Sequence, residues 1–158
     1  FRRVLFRSRV VLDTSGAELR EALAEGVWIV KPSLRELSEL TGRELPGESE
    51  WLAAARQLVQ AGQADWVALT LGERGAMLVG AHQAWRADAI PVQVLSATGA
   101  GDSFLAAMVW ALARGLGEEA AFRHAVAAGT AALLTPGTDL CRKDDVLRLL
   151  EQVVIRPL

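Results

Sequence analysis

The sequence of 158 residues holds one cysteine, two histidines and no long apolar run, and each scarcity excludes something. With Cys141 alone, neither an intrachain disulfide nor a thiolate metal cluster can form, which suits a reducing cytoplasm. His82 and His124 lack metal-ligand spacing, so each is expected on a surface or a helix face. The longest wholly apolar stretches, around residues 104–113 and 131–134, fall short of the roughly 20 residues that a membrane-spanning helix needs. An excess of either charge is also missing. Lys and Arg number 17 against 19 Asp and Glu, and the signs are interspersed, as on a solvated surface. That balance gives no basic face for nucleic acid or an anionic membrane. The five tryptophans are scattered and make no stacking platform for single strands. Two nucleotide motifs are absent as well. No GxxxxGK[ST] occurs, and reading from Gly99 the third glycine of GxGxxG is replaced by Phe104.

What is present is a core and a rhythm. Apolar residues make up 51% of the chain, enough for one compact domain or part of one. Short apolar stretches at 10–12, 27–30, 65–71 and 76–79 read as strands. Between and after them, 17–25, 33–40, 48–61, 101–114, 118–134 and 143–153 read as helices, several closed by glycine. Short apolar strands alternating with helices argue for a parallel sheet covered on both faces. The first eight residues, Phe1 to Ser8, are basic and apolar and start without methionine. They are too short in their apolar part for a secretory signal, and read as a scar or a sequencing-boundary artefact.

The most informative stretch is Thr98-Gly99-Ala100-Gly101-Asp102-Ser103-Phe104. Upstream lies Ile90-Pro91-Val92-Gln93-Val94-Leu95, whose proline a helix interior would reject. Downstream, residues 104–113 are helix formers. The junction is therefore a glycine-bearing helix N-terminus, where unpaired N–H groups and the positive dipole end favour an anion. Asp102 in the first turn is either a dipole partner or a base held beside a bound phosphate. Alone, the run serves equally well as a structural turn.

Ser33 and Glu36 open a helix with the spacing of a capping box, in which each side chain satisfies the other's backbone N–H. Lys31, before a proline at a strand end, reads by residue type as a surface lysine. Thr70, Gly72 and Gly75 read as a tight strand connection, since glycine supplies positive φ.

These blocks together resemble the PfkB (ribokinase-like) carbohydrate kinases. Ser96 to Asp102 matches that family's D-T-x-G-A-G-D-like run, and Lys31-Pro32-Ser33-Leu34-Arg35-Glu36-Leu37 its K-P-N-x-x-E-L segment. Thr70-Leu71-Gly72-Glu73-Arg74-Gly75-Ala76 is similar to its [ST]-x-G-x-x-G-[AS] segment. Gly137-Thr138-Asp139-Leu140-Cys141 with Asp144-Asp145 resembles its 6-phosphofructokinase and 1-phosphofructokinase branch. The four blocks stand in order over about residues 10–153. The family's asparagine is replaced here by Ser33.

The resemblance implies a three-layer ribokinase-like α/β sheet with helices on both faces, of which residues 9–158 would be the carboxyl-terminal half. It implies ATP-dependent phosphoryl transfer to a sugar-phosphate hydroxyl, with Asp102 as general base and Gly99, Ala100 and Gly101 as the anion hole. Lys31, Ser33, Thr70, Gly72, Gly75, Val126 and Thr130 would contact ATP. Glu36 would hold Mg2+ through water. Backbone carbonyls around Ser96, Thr98, Ala132, Thr135, Gly137 and Asp139 would take a monovalent cation such as K+. The sugar-binding loops and the lid would lie in an amino-terminal half, so this half alone is expected to be inactive, and the longer protein a homodimer. Two further readings remain: a ribokinase-type sugar or nucleoside kinase of the same fold, and a non-catalytic nucleotide-binding fragment.

Overall fold

A computed structural model describes residues 9–158; the reading of Phe1 to Ser8 falls outside the described residues. Among the described residues, six strands form one sheet: β1 (Val11–Leu12), β2 (Val27–Val30), β3 (Ala64–Thr70), β4 (Ala76–Val79), β5 (Ala84–Ala87) and β6 (Ile155–Pro157), in that spatial order. Six α-helices of the described residues accompany them: α1 (Gly16–Glu25), α2 (Leu34–Thr41), α3 (Glu48–Gln60), α4 (Ala100–Ala113), α5 (Glu118–Ala132) and α6 (Lys143–Leu150).

The sheet is mixed, where the sequence pattern predicts a parallel one. β1, β2 and β3 pair in parallel, with Leu12 opposite Val30 and Val30 opposite Val67. β5 and β6 pair antiparallel, with Arg86 opposite Arg156. Connection length accounts for the parallel strands, while β5 and β6, separated by residues 88–154, are free to pair in either sense. Helices separate the first three strands and supply the long crossovers that parallel neighbours require. Only residues 80–83 join β4 to β5, with the Gly80 N–H donating to the Gln83 carbonyl at 2.8 Å, and so short a link cannot make a crossover.

Of the described residues, 9–71 with 77–84 form one compact unit, and 72–76 with 85–158 another. In the first, α2 and α3 pack on β3, burying Leu37, Trp51, Ala54, Ala55 and Leu58 with Val67, Ala68 and Leu69. Those helix residues recur at three- and four-residue steps, the spacing that keeps one face towards a core. The Trp51 ring N–H donates to the Leu45 carbonyl at 2.8 Å, which satisfies its polar atom at the core margin.

In the second unit, α4 and α5 pack against each other, and α6 packs on α5. α4 buries Phe104, Met108 and Ala111, a stripe at four- and three-residue steps. The Phe104 and Phe122 rings meet edge to face, with centroids 6.3 Å apart. At Gly129 the two helices lie in close contact. A Cβ there would lie 3.2 Å from the Ala100 carbonyl oxygen and 3.3 Å from the Phe104 Cβ. The missing side chain lets α5 support the first turn of α4. No helix of the described residues is long and apolar enough to cross a membrane.

Candidate functional site

The residues singled out in the sequence fall in both units, and each unit organises its own share. In the first, Lys31 directly follows β2, beside the end of β1. Its ammonium lies 3.2 Å from the Asp13 carboxylate, and the residue is only 7% exposed. An ordinary surface lysine would be solvated; this one is buried and paired. Pro32 and Ser33 continue in extended form, where the Thr70 N–H donates to the Pro32 carbonyl at 3.0 Å and Ser33 bridges to Thr70. Lys31, Ser33 and Thr70 are thus brought to the same end of β2 and β3.

The capping box is formed as the sequence predicts. Glu36 Oε2 accepts from the Ser33 N–H at 2.7 Å and from the Ser33 hydroxyl at 2.9 Å, while the Glu36 N–H donates to Ser33 Oγ at 3.3 Å. Glu36 Oε1 has no protein hydrogen-bond partner among the described residues, so one oxygen is anchored and the other stays open. Such an arrangement fits Mg2+, which keeps most of its waters and takes few protein ligands. Among the described residues no group of three or more His, Cys, Asp or Glu could hold a metal by itself.

In the second unit, Gly99 caps α4 with φ +79°, ψ 0°, and no side chain caps the helix. The first helical bond runs from the Ser103 N–H to the Gly99 carbonyl at 2.9 Å, and the Ala100 N–H makes only a long 3.4 Å contact to Ala97. The Gly101 and Asp102 amides precede that first bond and are left for another acceptor. Asp102 is exposed in this first turn. A Cβ on Gly99 would meet nothing within 4 Å, so its left-handed backbone, rather than protein crowding, calls for glycine.

The segment leading into α4 is tied to the loop that follows α5. The Leu95 N–H donates to the Leu133 carbonyl at 2.8 Å, and Ser96 Oγ donates to the Gly137 carbonyl at 2.9 Å while accepting from the Thr98 N–H at 3.2 Å. Thr135, 2% exposed, donates from Oγ1 to the carbonyls of Ala132 at 2.8 Å and Asp139 at 3.0 Å. Ser96, Thr98 and Gly137 therefore form one hydrogen-bonded group, and Ala132, Thr135 and Asp139 a second at the end of α5 and the loop after it. Val126 and Thr130 are buried on α5, where the Thr130 hydroxyl donates to the Val126 carbonyl at 2.8 Å.

Gly72 begins a short 3-10 turn, Gly72–Arg74, and Gly75 closes it, its N–H donating to the Gly72 carbonyl at 3.0 Å. Both glycines have positive φ, +60° and +86°. Sequence reasoning missed Arg86, which is buried in β5 and donates to backbone around this turn. A lone charge in a short apolar stretch was the only signal available. His82 is exposed, and His124 Nδ1 lies 2.8 Å from the Ala120 carbonyl on its own helix.

Residues 5–145 match the model of the pfkB family carbohydrate kinases. The chain is 44% identical over 142 residues to the ATP-dependent 6-phosphofructokinase isozyme 2 of Mycobacterium tuberculosis, covering 90% of this chain and 42% of that protein. Escherichia coli phosphofructokinase-2 has been solved with substrates and products and with potassium. In each case the TM-score is 0.87 at 39% identity, over 91% of this chain and 47% of that one. Arabidopsis thaliana ribokinase complexed with ribose and ATP is similar at a TM-score of 0.78 and 28% identity, over 90% and 47% of the two chains. The chain thus spans less than half the length of the relatives it matches. With its fold, its motif blocks and the family model in agreement, the chain belongs to the pfkB family of carbohydrate kinases.

Proposed function

We infer that this chain carries the nucleotide-binding and proton-accepting half of an ATP-dependent kinase for a sugar phosphate, of the 6-phosphofructokinase kind. The observation that carries the reading is the start of α4: an uncapped helix N-terminus entered through glycine, with an exposed carboxylate in its first turn. The acceptor hydroxyl gives its proton to Asp102 as its oxygen attacks the γ-phosphorus; the bond to the bridging oxygen breaks and ADP leaves. General-base help of this kind contributes about 10²–10⁴-fold. The Gly99, Ala100 and Gly101 amides stabilise charge on the transferring oxygens, with no long side chain in their way.

Lys31, Ser33, Thr70, Gly72 and Gly75 are assigned to the phosphates and ribose, and Val126 and Thr130 to the nucleoside end. Glu36 would hold Mg2+ through water, and the ion would supply charge neutralisation on the phosphates. The two hydrogen-bonded groups around Ser96 and Thr135 support a K+ site near the start of α4, in keeping with the potassium complex of the E. coli relative. The acceptor-binding loops, homodimer formation and a cytoplasmic setting belong to the same proposal. The likeness to a ribokinase bound to ribose and ATP favours a second reading, a ribokinase-type kinase, which an acceptor screen separates.

Titration of the chain with Mg-ATP, followed by amide chemical shifts, tests the nucleotide assignment. Perturbation should gather at Lys31, residues 70–75 and residues 99–101. A footprint centred on residues 82–85, or no saturable binding, would overturn it.

A further inference from the structure

Arg86 lies in β5, flanked by the buried residues Trp85 and Ala87, and is itself only 5% exposed. A guanidinium in such a place needs acceptors for its five donors. One terminal nitrogen donates to the Ala76 carbonyl at 3.2 Å and to the Ala87 carbonyl; the other donates to the Arg74 carbonyl. The Arg86 guanidinium also lies 3.6 Å from the Asp88 carboxylate, whose side chain is 76% exposed, so solvent screens that pair. These three hydrogen bonds go to the backbone, where carbonyls on either side of Gly75 are held by one planar group.

Gly75 meets the same strand from the other direction. At φ +86°, a Cβ on it would lie 2.1 Å from the Ala87 carbonyl oxygen, 2.7 Å from the Ala89 nitrogen and 2.8 Å from the Asp88 carbonyl carbon. The Ala87 carbonyl is therefore both the atom that Gly75 must approach and an acceptor for Arg86. Glycine lets the turn lie against the strand, and the guanidinium ties its flanking carbonyls there. Residues 72–74, carried on this base, are exposed.

We propose that Arg86 is a positioning residue for the nucleotide, fixing the Gly72–Gly75 turn in the conformation that receives ATP. The proposal rests on the nucleotide assignment of that turn made above. A preorganised turn loses less freedom on binding, and loosening it lowers affinity without removing any atom that touches the ligand. Lysine cannot substitute. Its three donors radiate from one nitrogen and cannot span carbonyls that a planar fork spans.

The test uses the 158-residue chain, its Arg86→Lys and Arg86→Gln variants, amide exchange and Mg-ATP titration. In wild type, the Gly75 and Ala76 amides should be protected relative to exposed loop amides; equal exchange there would overturn the clamp without any variant. In Arg86→Lys, which keeps the charge should Arg86→Gln not fold, exchange at these amides should quicken about tenfold and Mg-ATP affinity should fall about five- to tenfold. Exchange in β2 and β3 should stay unchanged. A loosened turn with affinity within about twofold of wild type would reduce Arg86 to a purely structural role and overturn the proposal. If wild type itself binds no Mg-ATP, the nucleotide reading fails and this proposal falls with it. Wild-type binding with an indifferent Arg86→Lys removes only the proposal.

Discussion

Lys31 and Asp13 extend the adjacent parallel strands β2 and β1, and their charged groups lie 3.2 Å apart where the Leu12–Val30 register pair ends. The lysine side chain is 9% exposed and the aspartate 31%, so the pair is asymmetric. The aspartate keeps part of its hydration, while the ammonium depends on the carboxylate. Asp13→Asn should therefore destabilise the chain by about 1–2 kcal/mol in urea unfolding, below the cost of breaking a wholly buried pair. Lys31→Met keeps the buried stem and leaves Asp13 partly solvated. It should cost less than about 1 kcal/mol of stability while weakening Mg-ATP binding about tenfold or more. Unchanged affinity would leave Lys31 a structural cation.

Ser33 and Glu36 separate capping from metal holding. Ser33→Ala removes the hydroxyl that both accepts from the Glu36 N–H and donates to its carboxylate, and should lower stability by about 1 kcal/mol. Glu36→Gln keeps an acceptor for the Ser33 N–H but no longer offers a carboxylate to Mg2+. The Mg2+ concentration needed for half-maximal ATP binding should rise about tenfold in Glu36→Gln and only slightly in Ser33→Ala. Equal responses would mean that Glu36 only caps α2.

How far these features were legible depends on what surrounds each residue. Helix ends marked by glycine appear within one or two residues at α1, α2 and α3, because positive φ at Gly26, Gly42 and Gly62 is a local matter that residue type records. The capping box is equally local. β5 and β6 escaped notice. Ala84–Ala87 carries a charge that reads as solvated, and Ile155–Pro157 is three residues ending in a proline suited to a sheet edge. α6 ends at Leu150, earlier than the apolar spacing suggested, and Val153 is buried beyond it, with Arg123 donating to its carbonyl. The burial of Lys31 and Arg86 was invisible for one reason. Both are buried through partners supplied by neighbouring strands or turns, which spacing along the chain does not report.

Two glycines with nearly equal φ should differ sharply when given a side chain. Gly99→Ala meets open space and should cost only left-handed strain, about 1–2 kcal/mol. Gly75→Ala adds a collision with the backbone at residues 87–89 and should cost about 2–5 kcal/mol. Thermal unfolding of the two variants orders them. Equal melting points would mean that the turn at Gly75 relaxes away from β5.

Asp102 is the residue on which the proposed proton transfer turns. Asp102→Asn keeps the size and a hydrogen-bonding oxygen but removes the basic carboxylate. In a longer protein that joins this chain to the proposed acceptor-binding half, turnover is followed with fructose 6-phosphate. If Asp102 takes the acceptor proton, kcat should fall about 10²-fold or more while Mg-ATP affinity changes little. If the carboxylate only complements the helix dipole, the substitution should cost about 0.3–1 kcal/mol of stability and leave turnover nearly intact. Its exposed position in the first turn makes the structural loss small under either role, so stability alone cannot mimic a catalytic defect. Measuring kcat and unfolding on the same variant separates the roles, and a kcat close to wild type would remove Asp102 from the proton-transfer step.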